Sequence, residues 1–497
     1  MPSRTAQSYR VLIGLEIHVQ LATNTKMFTG VANASGNLRP GQTPPEPNSA
    51  VDEQILGLPG TLPVLNKVAV EYSIKTGLAL GCKINRFTKW DRKSYYYPDL
   101  PKNYQISQYD LPLCHEGEMT VPDESGVPAR IRIRRAHLEE DAGKLLHEAP
   151  GGFPIDHSIV DLNRAGTPLL EIVTEPDFST AKQVVVFAQE LQKLVQFLGV
   201  SHAQMQLGQM RFEPNINLHI TDADGQMHKT AITEIKNLNS FSVLERATAY
   251  EIARQLRAWE ETGSLGRKST YGWDESTQST FHQRDKEEAN DYRYFPDPDL
   301  PPVIVDEAWL AELKSQVGES PVQRRERYST ALGLSAADAT ALAADRTTGD
   351  FYESAVKLGG DPKRVANLLI NVVQKIANDR STSIAIVGLA SSQVAEVARL
   401  IDENKIGASS ALALFEKLCG TTAHAAGVAA DLGLIQSTDT APIDAAIDAL
   451  IAQNPKSLQD YKAGKQAALG SLVGMVMKSA KGLNPKLVQE RLREKLG

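Results

Sequence analysis

The segment VLIGLEIHVQL, residues 11–21, alternates apolar and polar side chains along its length. Its odd positions are apolar, whereas the even positions carry Gly14, Glu16, His18 and Gln20 after an initial leucine. Because a β-strand places alternate side chains on opposite faces, the segment predicts a strand with one buried face and with Glu16 beside His18 on the other. Same-face neighbours lie about 6.5–7 Å apart, near enough to converge on one metal ion. A solvent-facing strand shows the same alternation, so the pair alone is weak evidence.

A second group of acids lies in HLEEDAGK, residues 137–144, after the alternating pattern RIRIR. Glu139, Glu140 and Asp141 are consecutive and precede a glycine. Adjacent carboxylates repel one another unless a cation is shared between them. The first turn of a helix, where the helix dipole favours acids, is the alternative explanation.

Two further alternating segments carry charges on one face. TEIKN at 233–237 places Glu234 beside Lys236, and RFEPNIN at 211–217 aligns Arg211 with Glu213. Oxygen ligands with one imidazole suit Mg²⁺ or Mn²⁺ bound to phosphates better than a structural zinc. A carboxylate-held metal with lysine and arginine nearby is what phosphoryl transfer requires.

The sequence contains neither a G-x-x-x-x-G-K-[S/T] loop nor a G-x-G-x-x-G turn, which disfavours the standard nucleotide-binding folds. The segments DRKSYYYPDLPKNYQ at 91–105 and NRAGTP at 163–168 are the candidate phosphate-binding elements. Basic residues interleaved with tyrosines can bind phosphates and stack on a base. A tyrosine-rich loop packed over a sheet edge is the alternative. No G-x-S-x-G nucleophile motif is present, so we expect any amide nitrogen to come from another chain.

The composition limits the class of protein. The 497 residues carry a net charge of −7, which argues against coating nucleic acid by bulk electrostatics. Cys82, Cys114 and Cys419 form no Cys-x-x-Cys pair, which excludes a disulfide framework or a cysteine zinc cluster. No window is apolar enough for a membrane helix, and Glu16 interrupts the first apolar run, so we expect a cytoplasmic protein without membrane contacts.

The texture of the sequence changes at YFPDPDLPP, residues 294–302, which cannot be helical and predicts a stiff connector. Strand-like alternation precedes it, and helical spacing of Ala, Leu and Val follows it. A second boundary is indicated between residues 421 and 454, which contain aspartates but neither Lys nor Arg. We therefore expect an α+β protein with a catalytic domain at 1–303, an all-α domain at 304–425 and a small helical tail at 426–497.

The end of the chain is basic, since residues 456–497 carry nine Lys or Arg and three acids, and the remaining residues sum to −13. Such a module could bind a polyanion, or it could be a solvated helical face. Gly470 and Gly474 interrupt one helical stripe, which predicts that a neighbouring helix or an RNA backbone approaches closely. The apolar stripes of two terminal helices comprise Leu469, Leu472, Val473, Val476 and Met477, then Leu487, Val488, Leu492 and Leu496, with Asn484 as cap and Pro485 in the first turn of the second helix.

In combination and in this order, the segments resemble the GatB family of tRNA-dependent amidotransferase subunits. The matching segments are IGLEIHVQL at 13, GLPGTLPVLN at 57, DRKSYYYPDLPKNYQISQYDLPL at 91, HLEEDAGK at 137, VDLNRAGTPLLEIVTEPD at 160, EIKNLNSF at 234, DYRYFPDPDLP at 291 and LVGMVMK at 472. The resemblance implies a cradle-shaped catalytic domain, a helical domain and a YqeY-like tail that holds tRNA.

The resemblance also implies a reaction. Such a subunit uses ATP and Mg²⁺ to phosphorylate the side-chain carboxylate of Glu-tRNA(Gln) or Asp-tRNA(Asn), and ammonia then displaces the phosphate. The ammonia would come from glutamine hydrolysed by the amidase subunit GatA, with the small subunit GatC as third member of the complex. The chain would thus act in a C–N ligase with glutamine as amido donor.

Site residues follow from the resemblance motif by motif. Glu16, His18, Glu140 and Glu234 would hold the catalytic magnesium, and Glu139 is the weaker candidate of its pair. We infer phosphate-binding roles for Lys236 and for four further cations, Arg92, Lys93, Lys102 and Arg164. We expect the tail to contact tRNA through Lys462, Lys465, Lys478 and Lys481.

The sequence departs from the family at two places. Family members often carry zinc-binding cysteines in segments that correspond to residues 27–31 and 51–55, where this chain has no cysteine, so we expect no zinc. The family commonly has Asp where this chain has Glu213, and the extra methylene argues against Glu213 as a direct ligand. A non-catalytic tRNA-binding scaffold is the alternative function. The related GatE family carries an inserted domain for which 497 residues leave no room.

Overall fold

The computed structural model describes residues 4–123, 126–149, 152–285, 289–436, 440–453, 467–479 and 485–496. The chain divides into two compact units, Met1–Ser320 and Pro321–Gly497. The first combines a mixed sheet with helices, and the second is helical in the residues described, which confirms the predicted α+β class. No helix among these residues is long and apolar enough to cross a membrane.

The first unit is organised around one large sheet, which has ten strands among the described residues. The strands are β1 (Ala6–Gln20), β2 (Lys83–Ile84), β6 (Cys114–Pro122), β7 (Pro128–Glu140), β10 (Pro168–Thr174), β11 (Met210–Asp222), β12 (Met227–Lys229), β13 (Thr233–Lys236), β14 (Ser269–Asp274) and β15 (Ser279–Asp285). Their order in the sheet is β15-β14-β13-β11-β1-β10-β7-β6-β2, and β12 pairs with β11.

Seven short strands form smaller sheets. They are β3 (Phe87–Thr88) with β17 (Val303–Ile304), β4 (Asp91–Ser94) with β5 (Tyr104–Ser107) and β16 (Phe295–Pro296), and β8 (Lys144–Ala149) with β9 (Phe153–Asp161). The helices of this unit are α1 (Ala34–Asn37), α2 (Lys67–Ala79), α3 (Ala181–Phe197), α4 (Phe241–Thr262) and α5 (Glu307–Val317), with 3₁₀ turns at Met205–Leu207 and Ala289–Tyr292.

Strand β1 confirms the pattern read from the sequence. Ile13, Leu15, Ile17 and Val19 are buried with at most 1% of their surface exposed, and they join the core that α3 and α4 close on this face of the sheet. Removal of this apolar surface from water stabilises the unit. The opposite face of β1 is therefore the one that carries its polar residues.

Helix α2 packs closely against β6 through Gly77 and Cys114, and the residues after α2 pack against the same strand through Cys82 and Gly117. A Cβ atom on Gly77 would overlap Sγ of Cys114, and one on Gly117 would overlap Sγ of Cys82. Both thiols are buried free cysteines in the core of this unit. Glycine is thus required here for a close approach of helix and strand.

The proline-rich segment lies against the first unit. Its Phe295–Pro296 pair with Asp91 and Arg92, and Val303–Ile304 pair with Phe87 and Thr88. Helix α5 follows and packs on the same core through Leu313. The sequence predicts the first boundary after residue 303, whereas the division between the units falls after Ser320.

The second unit is an array of helices with two apolar clusters. Its helices are α6 (Pro321–Thr330), α7 (Ala336–Ala343), α8 (Arg346–Lys357), α9 (Pro362–Leu368), α10 (Gln374–Asp379), α11 (Ser391–Asp402), α12 (Ala411–Leu418), α13 (Ala425–Asp431), α14 (Thr440–Gln453), α15 (Ala467–Ser479) and α16 (Pro485–Leu496). A π turn at Leu369–Val373 and 3₁₀ turns at Ile384–Ile386 and Ala408–Ser410 complete it.

The tail cluster comprises α14, α15 and α16, which share an apolar core of their own. The predicted stripes are confirmed, because Leu469, Leu472, Val476, Val488 and Leu492 are buried in that core and α16 begins at Pro485. Asn484 lies outside the described residues. The sequence predicts a tail from residue 426, whereas Ala425 and Ala429 of α13 pack with the preceding helices.

Candidate metal centre

The polar face of β1 lies between two antiparallel neighbours that also carry acids. Register places Glu16 opposite Glu213 of β11, and His18 opposite Glu171 of β10. Glu171 is in turn opposite His137 of β7. Sheet pairing thus brings charged residues from distant parts of the sequence to one surface.

One group, here called the triglutamate cluster, comprises Glu16, Glu213 and Glu234. A carboxylate oxygen of each lies within 4.8 Å of the others. Asn215 Nδ2 donates a hydrogen bond of 3.1 Å to Glu16 Oε1, and Thr270 Oγ1 donates one of 2.9 Å to Glu234 Oε2. These bonds orient two of the three carboxylates, as the partners of metal ligands do.

Lys236 compensates the charge of the triglutamate cluster. Its ammonium donates to Glu213 and lies 3.8 Å from Glu234 Oε2. Burial disfavours the charge, but Glu213 and Glu234 hold the pKa of Lys236 above its ordinary value. The residue therefore keeps a fixed positive charge beside the acids, which suits an anionic ligand such as phosphate.

The second group, the histidine cluster, comprises His18, Glu139 and Glu171. His18 Nε2 is 3.9 Å from Glu139 Oε1 and 4.0 Å from Glu171 Oε2. Burial lowers the pKa of His18, so the imidazole is neutral and can bind a metal. Burial and the charge of Glu171 raise the pKa of Glu139 to about 8. Two acids in a buried site thus compete for ionisation unless a cation joins them.

The two clusters meet at His18. Its Nδ1 atom is buried, has no hydrogen-bond partner in the part of the chain that the structure describes, and lies 3.8 Å from Glu213 Oε1. A buried imidazole nitrogen without a partner, among convergent carboxylates, is a donor set that fits a divalent cation such as Mg²⁺ or Mn²⁺. These residues therefore fit the metal that the resemblance implies.

The structure separates the two candidate acids of β7. Glu140 binds Lys102 and accepts the Ile106 amide at 3.0 Å, and it belongs to neither cluster. Glu139 is the residue that reaches His18. The sequence favoured Glu140 over Glu139, and the reason for the difference is geometric, since consecutive residues of a strand point to opposite faces. Both acids lie in a β-strand, so they do not occupy the first turn of a helix, which was the alternative explanation for the acidic triplet.

Asp141, the third acid of the triplet, accepts hydrogen bonds from residues next to the two clusters. Arg211 Nη1 donates to Asp141 Oδ2 at 2.9 Å, and Gln20 Nε2 donates to the same oxygen at 2.9 Å. Burial opposes ionisation of Asp141, but Arg164 and Arg211 hold its pKa below the usual range. It is a permanent anion that fixes Arg211 beside the clusters.

Besides Lys236, four cations are proposed for phosphate, and three of these four are engaged by protein acceptors. Arg92 donates to Asp297 and Asp299 at 2.7 Å each, and Lys102 binds Glu140. Arg164 donates to the carbonyl oxygens of residues 142 and 143. The fourth, Lys93, lies 4.6 Å from the ring centroid of Tyr292. Its charge favours the ionised form of Glu139, so it is the cation of this group that acts on the clusters.

Tyrosines of residues 95–109 pack against tyrosines of residues 292–294 near the histidine cluster. Tyr109 stacks on Tyr294 with ring centroids 4.2 Å apart, and Tyr95 meets Tyr292 edge to face at 6.3 Å. Burial raises the pKa of Tyr95 and of Tyr294, and the charge of Glu139 adds to both shifts. The tyrosine-rich segment thus packs against the site, as well as presenting Tyr96, which is 70% exposed.

A cavity of about 340 Å³, lined by both polar and apolar residues, adjoins Glu16 on the same strand face. Its lining includes Gly14, Glu16, Arg134, Asn215 and Lys268. Amide and cationic groups beside a carboxylate of the triglutamate cluster are suited to a polar anionic substrate.

Sequence reasoning missed Glu171 and argued against Glu213. Glu171 is the only charged residue of the strand PLLEIVT at 168–174, and an isolated acid in an otherwise apolar strand was the available signal. Glu213 has the extra methylene, yet register places its carboxylate opposite Glu16.

The tail candidates are described in part. Lys478 is exposed on α15, and Lys462, Lys465 and Lys481 lie outside the described residues. In the tail cluster, Arg491 forms hydrogen bonds of 2.9 and 2.6 Å with Asp444, and Lys495 binds Asp448 at 2.6 Å. The aspartates that mark a boundary in the sequence therefore neutralise part of the basic end.

The segments that would carry zinc-binding cysteines lie side by side. Thr29 Oγ1 donates to Asp52, which also accepts the Ile55 amide at 2.9 Å. The hydrogen bond between Thr29 and Asp52 thus joins residues 27–31 to residues 51–55, and neither segment contains a cysteine.

Comparison with known proteins agrees with the motifs. Residues 11–311 match the family model described as GatB/GatE catalytic domain, and residues 350–496 match that described as GatB domain. The B subunit of the aspartyl/glutamyl-tRNA(Asn/Gln) amidotransferase of Carboxydothermus hydrogenoformans is 43% identical over 492 residues, covering 99% of each chain. That of Caldanaerobacter subterraneus subsp. tengcongensis is 43% identical over 489 residues, covering 98% of this chain and 99% of the relative. That of Rhodopirellula baltica is 41% identical over 493 residues, covering 98% and 97%. The chain therefore belongs to the GatB family, the B subunits of tRNA-dependent amidotransferases that serve protein synthesis.

Proposed function

We propose that this chain activates the side-chain carboxylate of Glu-tRNA(Gln) or Asp-tRNA(Asn) with ATP and delivers it to ammonia. The observation that carries the proposal is the convergence of the triglutamate and histidine clusters on one face of β1, with His18 Nδ1 buried and without a hydrogen-bond partner among the described residues. The names of the relatives supply the substrate class.

The reaction has two steps. A carboxylate oxygen of the aminoacyl side chain attacks the γ-phosphorus of ATP, and ADP leaves. Ammonia then attacks the carbonyl carbon of the acyl phosphate, and phosphate leaves with the bonding electrons, which gives the side-chain amide. Mg²⁺ bound at the clusters would neutralise charge on the phosphates during the first step.

The protein groups have distinct parts in this scheme. Glu16, Glu213 and Glu234 would hold the metal at the first cluster, and His18, Glu139 and Glu171 would supply its ligands at the second. Lys236 offers a fixed positive charge to the transferring phosphoryl group, because two anions must approach each other. The cavity beside Glu16 gives the aminoacyl group access to the same point.

We expect the ammonia to come from another polypeptide. Burial raises the pKa of Cys82 to about 12 and that of Cys114 well above its ordinary value. Burial also raises the pKa of Cys419. None of the three thiols is thus activated as a glutaminase nucleophile. This supports an amidase partner, GatA, and a complex that includes GatC.

The test is release of phosphate from ATP by the chain co-purified with its amidase and small subunits, with each misacylated tRNA in turn. We expect release that requires Glu-tRNA(Gln) or Asp-tRNA(Asn), and its loss by more than a hundredfold in Glu16→Gln with tRNA affinity retained. Glu118→Gln, at an exposed acid of β6 paired with Arg130, is the matched control and should retain activity. Unchanged amide formation in Glu16→Gln would favour the alternative, a non-catalytic tRNA-binding scaffold.

A further inference from the structure

His137 is bound on both sides of its ring, although it belongs to neither cluster. Its Nδ1 atom accepts a hydrogen bond of 3.2 Å from Arg135 Nε, and its Nε2 atom lies 3.2 Å from Glu171 Oε2. Its side chain is only 6% exposed. Such double engagement leaves the ring a single orientation.

The partners of the ring also fix the position of its proton. A guanidinium group has only N–H donors, so Nδ1 must present its lone pair to Arg135. The proton is consequently on Nε2, where it is donated to Glu171. Ring flipping would place the protonated nitrogen against the guanidinium and is disfavoured.

Arg135 is itself held in place by backbone. Its Nη1 atom donates to the Tyr109 carbonyl at 2.6 Å, and its Nη2 atom donates to the Gln108 carbonyl. The residues after β5 thereby fix the guanidinium, which fixes the His137 ring, which orients Glu171. A continuous chain of hydrogen bonds runs from the backbone to a carboxylate of the histidine cluster.

We propose that His137 is a positioning residue that holds the Glu171 carboxylate for a divalent cation, in a tautomer set by Arg135. The inference rests on the proposed metal-dependent function, and it assigns a task to two residues that touch no substrate. The Glu171 oxygen that accepts the His137 N–H is Oε2, and this same oxygen lies 4.0 Å from His18 Nε2, so the hydrogen bond holds it at the histidine cluster. Partners of this kind typically change metal affinity by about 10–100-fold when removed.

The first measurement is Mn²⁺ binding to the full chain in its complex, followed by electron paramagnetic resonance of the free ion. We expect His137→Phe to weaken binding by about 10–100-fold. His137→Gln should recover part of the loss, because its amide N–H can donate to Glu171, and it remains informative if the phenylalanine variant does not fold. His228→Phe is the matched control, since it removes a histidine–carboxylate pair, 2.8 Å from Asp222, elsewhere on the same sheet.

The second measurement is the tautomer, from ¹⁵N-histidine spectra in which the His137 signal is identified by its loss in His137→Gln. We expect an unprotonated Nδ1 and a protonated Nε2, and the opposite assignment would overturn the inference. Equal Mn²⁺ affinity in wild type, His137→Phe and His137→Gln would overturn it as well, with the metal site itself intact. Absence of Mn²⁺ binding in the wild type would instead overturn the proposed function together with this inference.

Discussion

Lys26 is an ammonium group with no exposed surface. It donates to the Ala50 carbonyl at 2.6 Å and lies 3.5 Å from the Leu162 carbonyl, so it joins two segments that are far apart in the sequence. Burial lowers its pKa from 10.5 to about 8, and the charges of Asp52 and Asp161 oppose the shift. The charge of this lysine therefore destabilises the fold below pH 8, where it is present in both the folded and unfolded states.

This pKa predicts a pH-dependent stability. Between about pH 8 and 10.5 the folded state binds fewer protons at Lys26 than the unfolded state, so the free energy of unfolding rises with pH. We expect the wild type to gain up to about 3 kcal/mol relative to Lys26→Met across this window. Urea unfolding followed by tryptophan fluorescence measures it, because all four tryptophans lie in the first unit.

Lys67→Met is the control for the lysine prediction, since Lys67 has 72% of its side chain exposed. Its difference from the wild type should change little over the same pH window. A constant difference between wild type and Lys26→Met from pH 8 to 10.5 would contradict the assignment.

Some residues of the site can be predicted from local sequence patterns, whereas others cannot. Glu16, His18 and Glu234 could be selected as candidates from the sequence because each lies in a short alternating segment, and alternation is local information. Glu171 and Glu213 join them through register between strands that are more than 100 residues apart, which alternation does not contain. The selection of Glu139 over Glu140 depends on the phase of β7 relative to its neighbours, which only the assembled sheet reveals.

At the scale of elements, α2 and β6 are joined by close packing of glycine and cysteine. Alanine in place of glycine inside a helix usually stabilises by about 1 kcal/mol. We expect Gly77→Ala to destabilise the first unit by about 1–3 kcal/mol instead, because the new methyl group overlaps Sγ of Cys114. Adding Cys114→Ala should recover part of the loss, which a double-mutant cycle in urea would measure. Additive effects of the two changes would show that the contact is not strained.

Helix α15 carries the glycines for which the sequence predicts a close neighbour. Added Cβ atoms on Gly470 and Gly474 meet nothing within 4 Å among the described residues, so no described helix approaches these two glycines closely. The two glycines and Lys478 are exposed and spaced four residues apart, which places them on one side of the helix. An RNA backbone remains the partner that we propose for this face.

The Gly470→Ala, Gly474→Ala double variant tests that partner. We expect the tail to become more stable by about 1–2 kcal/mol, because alanine favours the helix and has space here. If RNA approaches this face, affinity for tRNA should fall despite the added stability, in filter binding with the assembled complex. Ser471→Ala, also exposed on α15, is the control. Unchanged affinity with raised stability would remove RNA from this face.

At the scale of the whole molecule, the spacing of apolar residues along the sequence predicted the order of strand-rich and helix-rich regions. It did not predict that the proline-rich segment would pair with β3 and β4, because strand pairing there depends on partners some 200 residues earlier. It also treated the aspartates near residue 444 as a boundary, whereas Asp444 binds Arg491 within the tail cluster.

The tail lysines predict a salt-dependent interaction with tRNA. We expect replacement of Lys462, Lys465, Lys478 and Lys481 by Gln to weaken tRNA binding and to reduce the slope of log affinity against log salt by about 0.7–0.9 for each lysine–phosphate pair that the substitutions remove. Mn²⁺ binding at the first unit should be unchanged. Equal slopes for the variant and the wild-type complex would rule the interaction out.

The position of β1 has a consequence for synthesis on the ribosome. This strand is complete at Gln20, but the strands on either side of it end at Thr174 and Asp222. At about 5–20 residues per second, roughly 10–40 s pass before both neighbours have been translated. During that interval Ile13, Leu15, Ile17 and Val19 have no sheet to enter, and they form an apolar segment with unpaired backbone on both edges. The most central strand of the protein is thus the one that the nascent chain must shield for longest, and a holding chaperone would find its binding site there.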